Sequence, residues 1–159
     1  MALVTFNKKQ FEKEIGKLNE EMKERVSMFG TPLESVNEAE IQIEVFPNRP
    51  DLLSYYGFKR SFLSFLGKKT GLKEYKLNKP EKDYKVIIDP SVKEVRPYTA
   101  CAIVKNLKLD DEKIKEIIEM QEKLHLTIGR KRKKVAIGIY PLEEINLPIF
   151  VCMGNFFFF

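Results

Sequence analysis

The chain has 159 residues, of which 43% are hydrophobic and 32% are charged, and its formal net charge at pH 7 is +5. This length suits one compact domain or two small lobes and excludes a larger architecture, and the apolar content excludes a chain that stays disordered. No apolar run approaches the roughly 20 residues that span a bilayer, so we expect a soluble, cytoplasmic protein.

A short strand and two helices are the first predicted elements. Leu3–Phe6 is an apolar strand, and Asn7 carries a side-chain oxygen suited to capping the helix that follows. Gly16 ends that helix. Asn19, followed by two glutamates, caps a second helix that stops at Gly30. The segment is therefore predicted to form a helical hairpin after a strand.

A strand hairpin and an aromatic helix are predicted next. Leu33–Val36 and Ile41–Phe46 flank a polar turn, and the second segment alternates apolar and polar residues as a half-buried strand does. Leu52–Leu66 carries aromatic residues at helical spacing, with Asp51 as the predicted N-cap and Gly67 past the end. Aromatic side chains can form a base-stacking platform, but at this spacing they more often pack in the core, which is the prediction here.

A connection between two lobes follows this helix. Lys68–Lys82 is rich in lysine and lacks an apolar period, as connecting segments do. Tyr84–Ile88 and Thr99–Val104 are the next predicted strands, and prolines keep the residues between them out of regular structure. We expect these two strands to pair within one sheet.

The last predicted elements are a long helix and a strand. Asp110 and Asp111 cap a helix whose apolar residues recur every three or four positions until Gly129. His125 lies on the apolar face, which favours a packed, hydrogen-bonded imidazole over a catalyst. Val135–Ile139 is a further strand. Because helices and strands are mixed without strict alternation, the predicted fold class is α+β.

The two cysteines, Cys101 and Cys152, are far apart in the sequence. They lack the paired spacing of a zinc site or a redox motif. Both are predicted to be small core hydrophobes in a reducing compartment, and no metal site is predicted.

Positive charge is concentrated in one run of five cations: Arg130, Lys131, Arg132, Lys133 and Lys134. The run carries as much charge as the net excess of the whole chain, so the basicity is local. A phosphate-bearing partner and a solvated loop beside a strand explain such a run about equally well. If the run leads into a strand, Arg130, Arg132 and Lys134 share one face. All five residues are the candidates for RNA binding.

A rigid turn precedes the aromatic helix. Asn48, Arg49, Pro50 and Asp51 stand between a strand end and a helix start, and two prolines that cannot donate hydrogen bonds fix the turn. Arg49 could contact a substrate, but we favour a structural motif in which the polar side chains bond one another and the turn.

This segment resembles the strand–turn–helix motif of phenylalanyl-tRNA synthetase β subunits of the archaeal and eukaryotic type. Further segments are similar to their counterparts in that family, in the same order and at similar separations: Ile88-Asp89-Pro90-Ser91-Val92, Val95-Arg96-Pro97-Tyr98, Gln121-Glu122-Lys123-Leu124-His125, and the stretch from Ile128 to Gly138. The resemblance covers nearly the whole chain up to Phe150.

The resemblance implies part of a larger enzyme. Members of the family join phenylalanine to its tRNA with ATP and magnesium, in an α2β2 assembly whose α subunit holds the aminoacylation site. The β subunit contributes scaffold and an editing domain that hydrolyses mischarged tyrosyl-tRNA, and the residues of that pocket would lie beyond Phe159. The chain is thus expected to be an N-terminal fragment of an aminoacyl-tRNA ligase subunit, with an α-subunit partner and without catalytic residues, cofactor or metal of its own.

The same resemblance gives expected domain bounds. Residues 1–75 correspond to the N-terminal β-subunit domain, and residues 83–150 to the beginning of an incomplete editing-type domain. Residues 151–159 form an atypical apolar tail ending in four phenylalanines. The tail is unlike the family, which favours a truncated or frame-shifted reading.

An alternative function is an independent RNA-binding or interaction module on the same scaffold. Its support is the basic run, with Lys105 and Lys108 nearby in the sequence. In either case tRNA is the candidate nucleic-acid partner, and neither DNA nor a membrane is expected.

Overall fold

The computed structural model of the chain describes residues 2–80 and 84–153. Its backbone contacts divide the chain into two compact units, Met1–Lys73 with Leu109–Ile137 and Glu74–Lys108 with Gly138–Phe159. The first segment ends close to residue 75, the predicted domain end, but the predicted second domain is shared between the two units. The assignment of residues 83–150 to an editing-type domain stays a prediction.

A three-stranded antiparallel sheet forms one layer of the first unit. Its strands are β1 (Ala2–Asn7), β2 (Leu33–Val36) and β3 (Glu40–Val45), with β3 in the centre. Ala2 pairs with Val45 at one end of the β1–β3 ladder, and Asn7 pairs with Glu40 at the other. Alternate residues of β1 and β3 are buried, as the period of two requires. The predicted strand and hairpin are confirmed.

Two short helices, α1 (Lys8–Glu14) and α2 (Glu20–Met28), lie between β1 and β2 in the chain. The Oδ1 atom of Asn7 accepts the N–H of Gln10 at 3.0 Å, and that of Asn19 accepts the N–H of Met22 at 2.9 Å. Each cap satisfies one of the amides that a helix start leaves without a partner. Both predicted caps are confirmed.

The third helix begins later than predicted. Pro50–Leu52 forms a single 3-10 turn, and α3 (Tyr55–Phe65) starts after it. Ser54 is the N-cap, since its Oγ accepts the N–H of Gly57 at 3.1 Å. The prediction of Asp51 as the cap is therefore wrong. The Asp51 carboxylate is occupied by the Arg49 guanidinium, which leaves the helix start to Ser54.

The core of the first unit is largely aromatic. Phe11, Phe58 and Phe62 are at most 1% exposed. The rings of Phe58 and Phe62 stack at 5.1 Å between centroids, and Phe6 lies 4.9 Å from Phe58. Burial of such rings is a leading source of stability in a lobe of this size. The aromatic helix is therefore core, as predicted, and not a base-stacking platform.

A fourth helix, α4 (Asp111–Leu126), belongs to the first unit. Asp110 caps it by accepting the N–H of Lys113 at 2.9 Å. Leu124 packs against the aromatic core, and His125 is buried. The prediction of a capped helix with one apolar face is confirmed.

The second unit contains one pair of short parallel strands among its described residues, β4 (Val86–Ile88) and β5 (Ile149–Val151). The predicted strand Tyr84–Ile88 is thus shorter than expected, and β5 was not predicted. Thr99–Val104, in this unit, and Val135–Ile139 are not strands, and those two predictions are wrong. An apolar alternation makes a strand only where a neighbouring backbone supplies hydrogen bonds, and neither segment pairs with another in the described part of the chain.

Three further predictions concern the second unit. Cys101 and Cys152 are both exposed, so their prediction as core residues is wrong, because neither reaches a packed interior. Residues 72–80 of the predicted connection carry no helix or strand, and residues 81–83 lie outside the described part. Val151 of the predicted tail is the last residue of β5, whereas residues 154–159 lie outside the described part of the chain.

No described helix is both long and apolar enough to cross a membrane.

Candidate nucleic-acid interface

The five cations Arg130–Lys134, called the basic turn from here on, form a left-handed turn after α4. Arg130, Lys131 and Arg132 have φ angles of 47°, 56° and 64°. Each such residue costs about 1–2 kcal/mol when it carries a side chain. Backbone bonds hold the turn closed: Arg132 N–H donates to the His125 carbonyl at 3.2 Å, and Lys134 N–H donates to the Gly129 carbonyl at 2.9 Å.

In an extended strand, alternate cations of this run would point to opposite faces. The left-handed turn does not have that alternation. The predicted face of Arg130, Arg132 and Lys134 depended on strand alternation, and that geometry is wrong. Arg132 is set apart from the other four cations because its Nη2 donates to Glu122 Oε1 in an ion pair. The others are exposed, and their side chains make no hydrogen bond or ion pair with residues 2–80 or 84–153: Arg130, Lys131, Lys133 and Lys134.

His125 anchors the segment that follows the basic turn. Its side chain is 4% exposed, and Nε2 accepts the backbone N–H of Ile137 at 2.8 Å. The Arg132 Nε atom and the Glu122 Oε1 atom lie 3.0 Å and 3.4 Å from Nδ1. A backbone N–H can only donate and a neutral imidazole accepts at one nitrogen, so we assign the ring proton to Nδ1, where it faces Glu122 and excludes a hydrogen bond from Arg132 Nε. The predicted packed, hydrogen-bonded imidazole is confirmed.

The arrangement separates two roles within the basic turn. Glu122 is bonded to both His125 and Arg132, and these three side chains shape the turn, whereas the other cations project from it as point charges. Exposed cations without local anions are the groups that contact phosphate oxygens. Whether any of the five binds RNA stays a prediction. Lys105 and Lys108 fall in the second unit.

The turn Asn48–Asp51 forms a closed side-chain pair. Arg49 donates from Nε and Nη2 to the two carboxylate oxygens of Asp51, at 3.0 Å and 2.9 Å. The guanidinium also lies over the Phe29 ring, 5.1 Å from its centroid, and Ser61 donates to Asp51 at 3.3 Å. The hydrogen bonds from Arg49 hold the pKa of Asp51 below its usual value. The guanidinium of Arg49 is thus engaged along its edge by Asp51 and on one face by Phe29, which suits the structural role.

A second polar cluster ties α1 to α3 and was not found from the sequence. Tyr55 Oη and Lys59 Nζ each donate to Glu14 Oε2 at 2.8 Å. Burial alone would raise the pKa of Glu14, but these two hydrogen bonds together hold it below its usual value. Burial, with the bond to Glu14, raises the pKa of the Tyr55 hydroxyl. The partners are more than 40 residues apart, so no local pattern signals them.

Glu116 of α4 has the opposite behaviour. Burial raises the pKa of its carboxyl group, and Oε1 has no hydrogen-bond partner among the described residues. Two carboxylates with opposed shifts can mark an acid–base pair. Here the two hydrogen bonds to Glu14 come from Tyr55 and Lys59 and tie α1 to α3, so we interpret the cluster as structural. Nowhere in residues 2–80 and 84–153 do three His, Cys, Asp or Glu side chains gather to hold a metal ion.

Comparisons with known proteins find similar sequences and a similar solved structure. No protein-family model matches the chain. The chain is 36% identical over 157 residues to the phenylalanine–tRNA ligase β subunit of Methanosphaera stadtmanae, covering 98% of this chain and 28% of that protein. It is 38% identical over 149 residues to the same subunit of Archaeoglobus fulgidus, covering 94% and 27%. The chain therefore spans about a quarter of the length of these curated relatives.

A solved structure also matches. The crystal structure of an N-terminal fragment of the phenylalanyl-tRNA synthetase β subunit from Pyrococcus horikoshii superposes with a TM-score of 0.80 at 34% identity. The match covers 94% of this chain and 44% of that one. The mixed α+β class predicted from the sequence is confirmed by this likeness.

Proposed function

The chain is homologous to the N-terminal portion of archaeal phenylalanine–tRNA ligase β subunits, and on this premise we propose that it is the N-terminal part of such a subunit, contributing scaffold and no active site of its own. The observation that carries the proposal is the alignment of 94–98% of the chain with about a quarter of these relatives, together with its match to a solved N-terminal fragment. The fold fits a scaffold because the polar side chains of Asp51, Glu14 and His125 are bonded to residues of the chain itself.

The partner in this proposal is an α subunit, in an α2β2 assembly that attaches phenylalanine to tRNA in the cytoplasm. ATP and magnesium belong to that reaction, and in this proposal their catalytic site lies elsewhere in the assembly. Within residues 2–80 and 84–153, no three His, Cys, Asp or Glu side chains are placed together to hold a divalent ion, and the sequence has no glycine-rich loop that cradles phosphates. The chain itself is therefore assigned no step that involves ATP.

An absence of turnover is the first expected result. The purified chain should neither exchange ATP with pyrophosphate in the presence of phenylalanine nor deacylate tyrosyl-tRNA, because the groups for both reactions lie elsewhere in the assembly. Both assays should be run beside a complete archaeal α2β2 enzyme as the positive control. Turnover that disappears after a point substitution within the chain would show that it has an active site and would refute the scaffold role.

A second candidate function, direct RNA contact, is favoured by the basic turn. Two exposed cations precede Arg132 in the sequence and two follow it, and none of the four makes an ion pair with a described residue. Replacing the four, Arg130, Lys131, Lys133 and Lys134, by glutamine should weaken tRNA binding without regard to sequence. The slope of log affinity against log salt should flatten by roughly 0.7–0.9 for each phosphate that the variant no longer neutralises. Fluorescence anisotropy over a salt series measures both.

The control is a variant with four cations removed elsewhere: Lys9, Lys13, Lys76 and Lys79 to glutamine. It has the same net charge as the basic-turn variant and leaves the basic turn intact. Equal slopes for parent and basic-turn variant would mean that the turn is an ordinary solvated loop. An equal fall in affinity in both variants would mean that binding follows net charge alone.

A further inference from the structure

A second basic site lies in the first unit, in a cavity of about 350 Å³. Its walls come from the segment after α1, the first turns of α2 and the end of α3. Met22 and Leu66 supply apolar surface, and three cations supply charge: Lys17, Arg25 and Lys68. The volume falls at the lower end of the roughly 300–1,000 Å³ typical of ligand pockets.

The three cations are available to a ligand. The side chains of Lys17 and Arg25 make no hydrogen bond or ion pair with any residue in 2–80 or 84–153. Lys68 Nζ donates one hydrogen bond, to the Ile15 carbonyl at 2.8 Å, which holds the ammonium in place and leaves two N–H groups. The cavity is therefore lined by one positioned cation and two free ones.

The charge balance of the cavity favours an anion. Glu21 is the one carboxylate among its lining residues, so the lining carries a formal charge of +2. Like charges gathered around a concave surface focus the field and raise the local concentration of anions. Lysine and arginine are the usual phosphate-binding side chains.

We propose that this cavity binds the phosphate group of a nucleotide or of an RNA strand, with the sugar and base against Met22 and Leu66. A free inorganic anion would fill only part of the volume and would leave the apolar surface uncovered. A phosphate ester satisfies the cations and covers that surface. The site is separate from the basic turn in residue composition and does not depend on the scaffold role.

The test is a titration of the full chain followed by two-dimensional amide NMR. AMP is expected to shift the amides of Asn19, Met22 and Lys68, whereas adenosine, which lacks the phosphate, should not. Inorganic phosphate should shift the same amides more weakly than AMP. An eight-nucleotide RNA distinguishes the sources: competition with AMP at lower concentration assigns the site to a strand, and its failure to compete assigns it to a free nucleotide.

The variant Lys17→Gln with Arg25→Gln removes the two free cations and should weaken AMP binding at least about tenfold. Neither side chain has a partner among the described residues, so the amide spectrum should keep its dispersion. The control, Lys9→Gln with Lys13→Gln, removes two charges from α1 outside the cavity and should change the affinity less than about twofold. Unshifted cavity amides at about 10 mM AMP, or an equal fall in affinity in both variants, would overturn the proposal.

Discussion

Replacing Gly57 by alanine is expected to destabilise the first unit by about 3 kcal/mol or more. A Cβ atom at this position would stand 1.9 Å from the Asp51 carbonyl oxygen and 3.1 Å from the carbonyl carbon. Both are backbone atoms of the turn that also carries Arg49, so neither can move without opening the start of α3. The roughly 1 kcal/mol that alanine gains over glycine in a helix does not offset this overlap.

A denaturant titration followed by circular dichroism measures the effect of Gly57→Ala. The matched control is Ser64→Ala in the same helix, whose Oγ makes no hydrogen bond in the described part of the chain. Ser64→Ala should leave the midpoint unchanged or raise it slightly. A Gly57→Ala midpoint equal to that of the control would mean that α3 and the Asn48–Asp51 turn do not approach as described.

Replacing His125 by alanine is expected to cost about 2–3 kcal/mol and to release the segment after the basic turn. The substitution removes a buried ring and leaves the Ile137 N–H without its acceptor. It also removes a hydrogen-bond partner of Glu122 within the turn. Amide hydrogen exchange at Ile137 should therefore accelerate in addition to the fall in the midpoint.

His125→Gln is the control for this effect. A glutamine carbonyl oxygen can accept the Ile137 N–H, so part of the stability and of the exchange protection should return. Equal exchange rates at Ile137 in the parent and in His125→Ala would contradict the anchoring role, even if stability falls for reasons of packing.

Local rules predicted the first unit well because its elements are set by local chemistry. Asn7, Asn19 and Asp110 each cap the helix that the sequence assigned to them. Asp51 failed as a cap because Arg49, two residues earlier, competes for its carboxylate. Ser54 also has a side-chain oxygen that can cap a helix. Which of Asp51 and Ser54 caps α3 depends on the folded conformation of the turn.

The strands of the second half were harder to predict because a strand depends on partners distant in sequence. Val86–Ile88 pairs with Ile149–Val151, more than 60 residues away, and no turn signal connects them. The apolar alternation of Val135–Ile139 has no paired neighbour in the described residues, and there the backbone N–H of Ile137 bonds His125 instead.

Two features of the candidate interface could be predicted from the sequence, and its backbone geometry could not. The basic run is evident from composition, and the buried state of His125 follows from its apolar helix face. The left-handed turn was not predictable, because Arg130, Lys131 and Arg132 each favour negative φ and adopt positive φ here in a turn closed by backbone bonds to His125 and Gly129. That turn changes which cations are exposed without partners. The ion pair between Glu122 and Arg132 is likewise a product of the fold.

The most direct test of the account is a hybrid β subunit. Residues 1–150 of this chain would replace the aligned N-terminal portion of the Archaeoglobus fulgidus β subunit, expressed together with its α subunit. The account predicts that the hybrid assembles with α and charges tRNA with phenylalanine within about tenfold of the parent enzyme. A hybrid that folds and assembles with α but does not aminoacylate would contradict the proposal that this chain is the N-terminal scaffold of such a subunit.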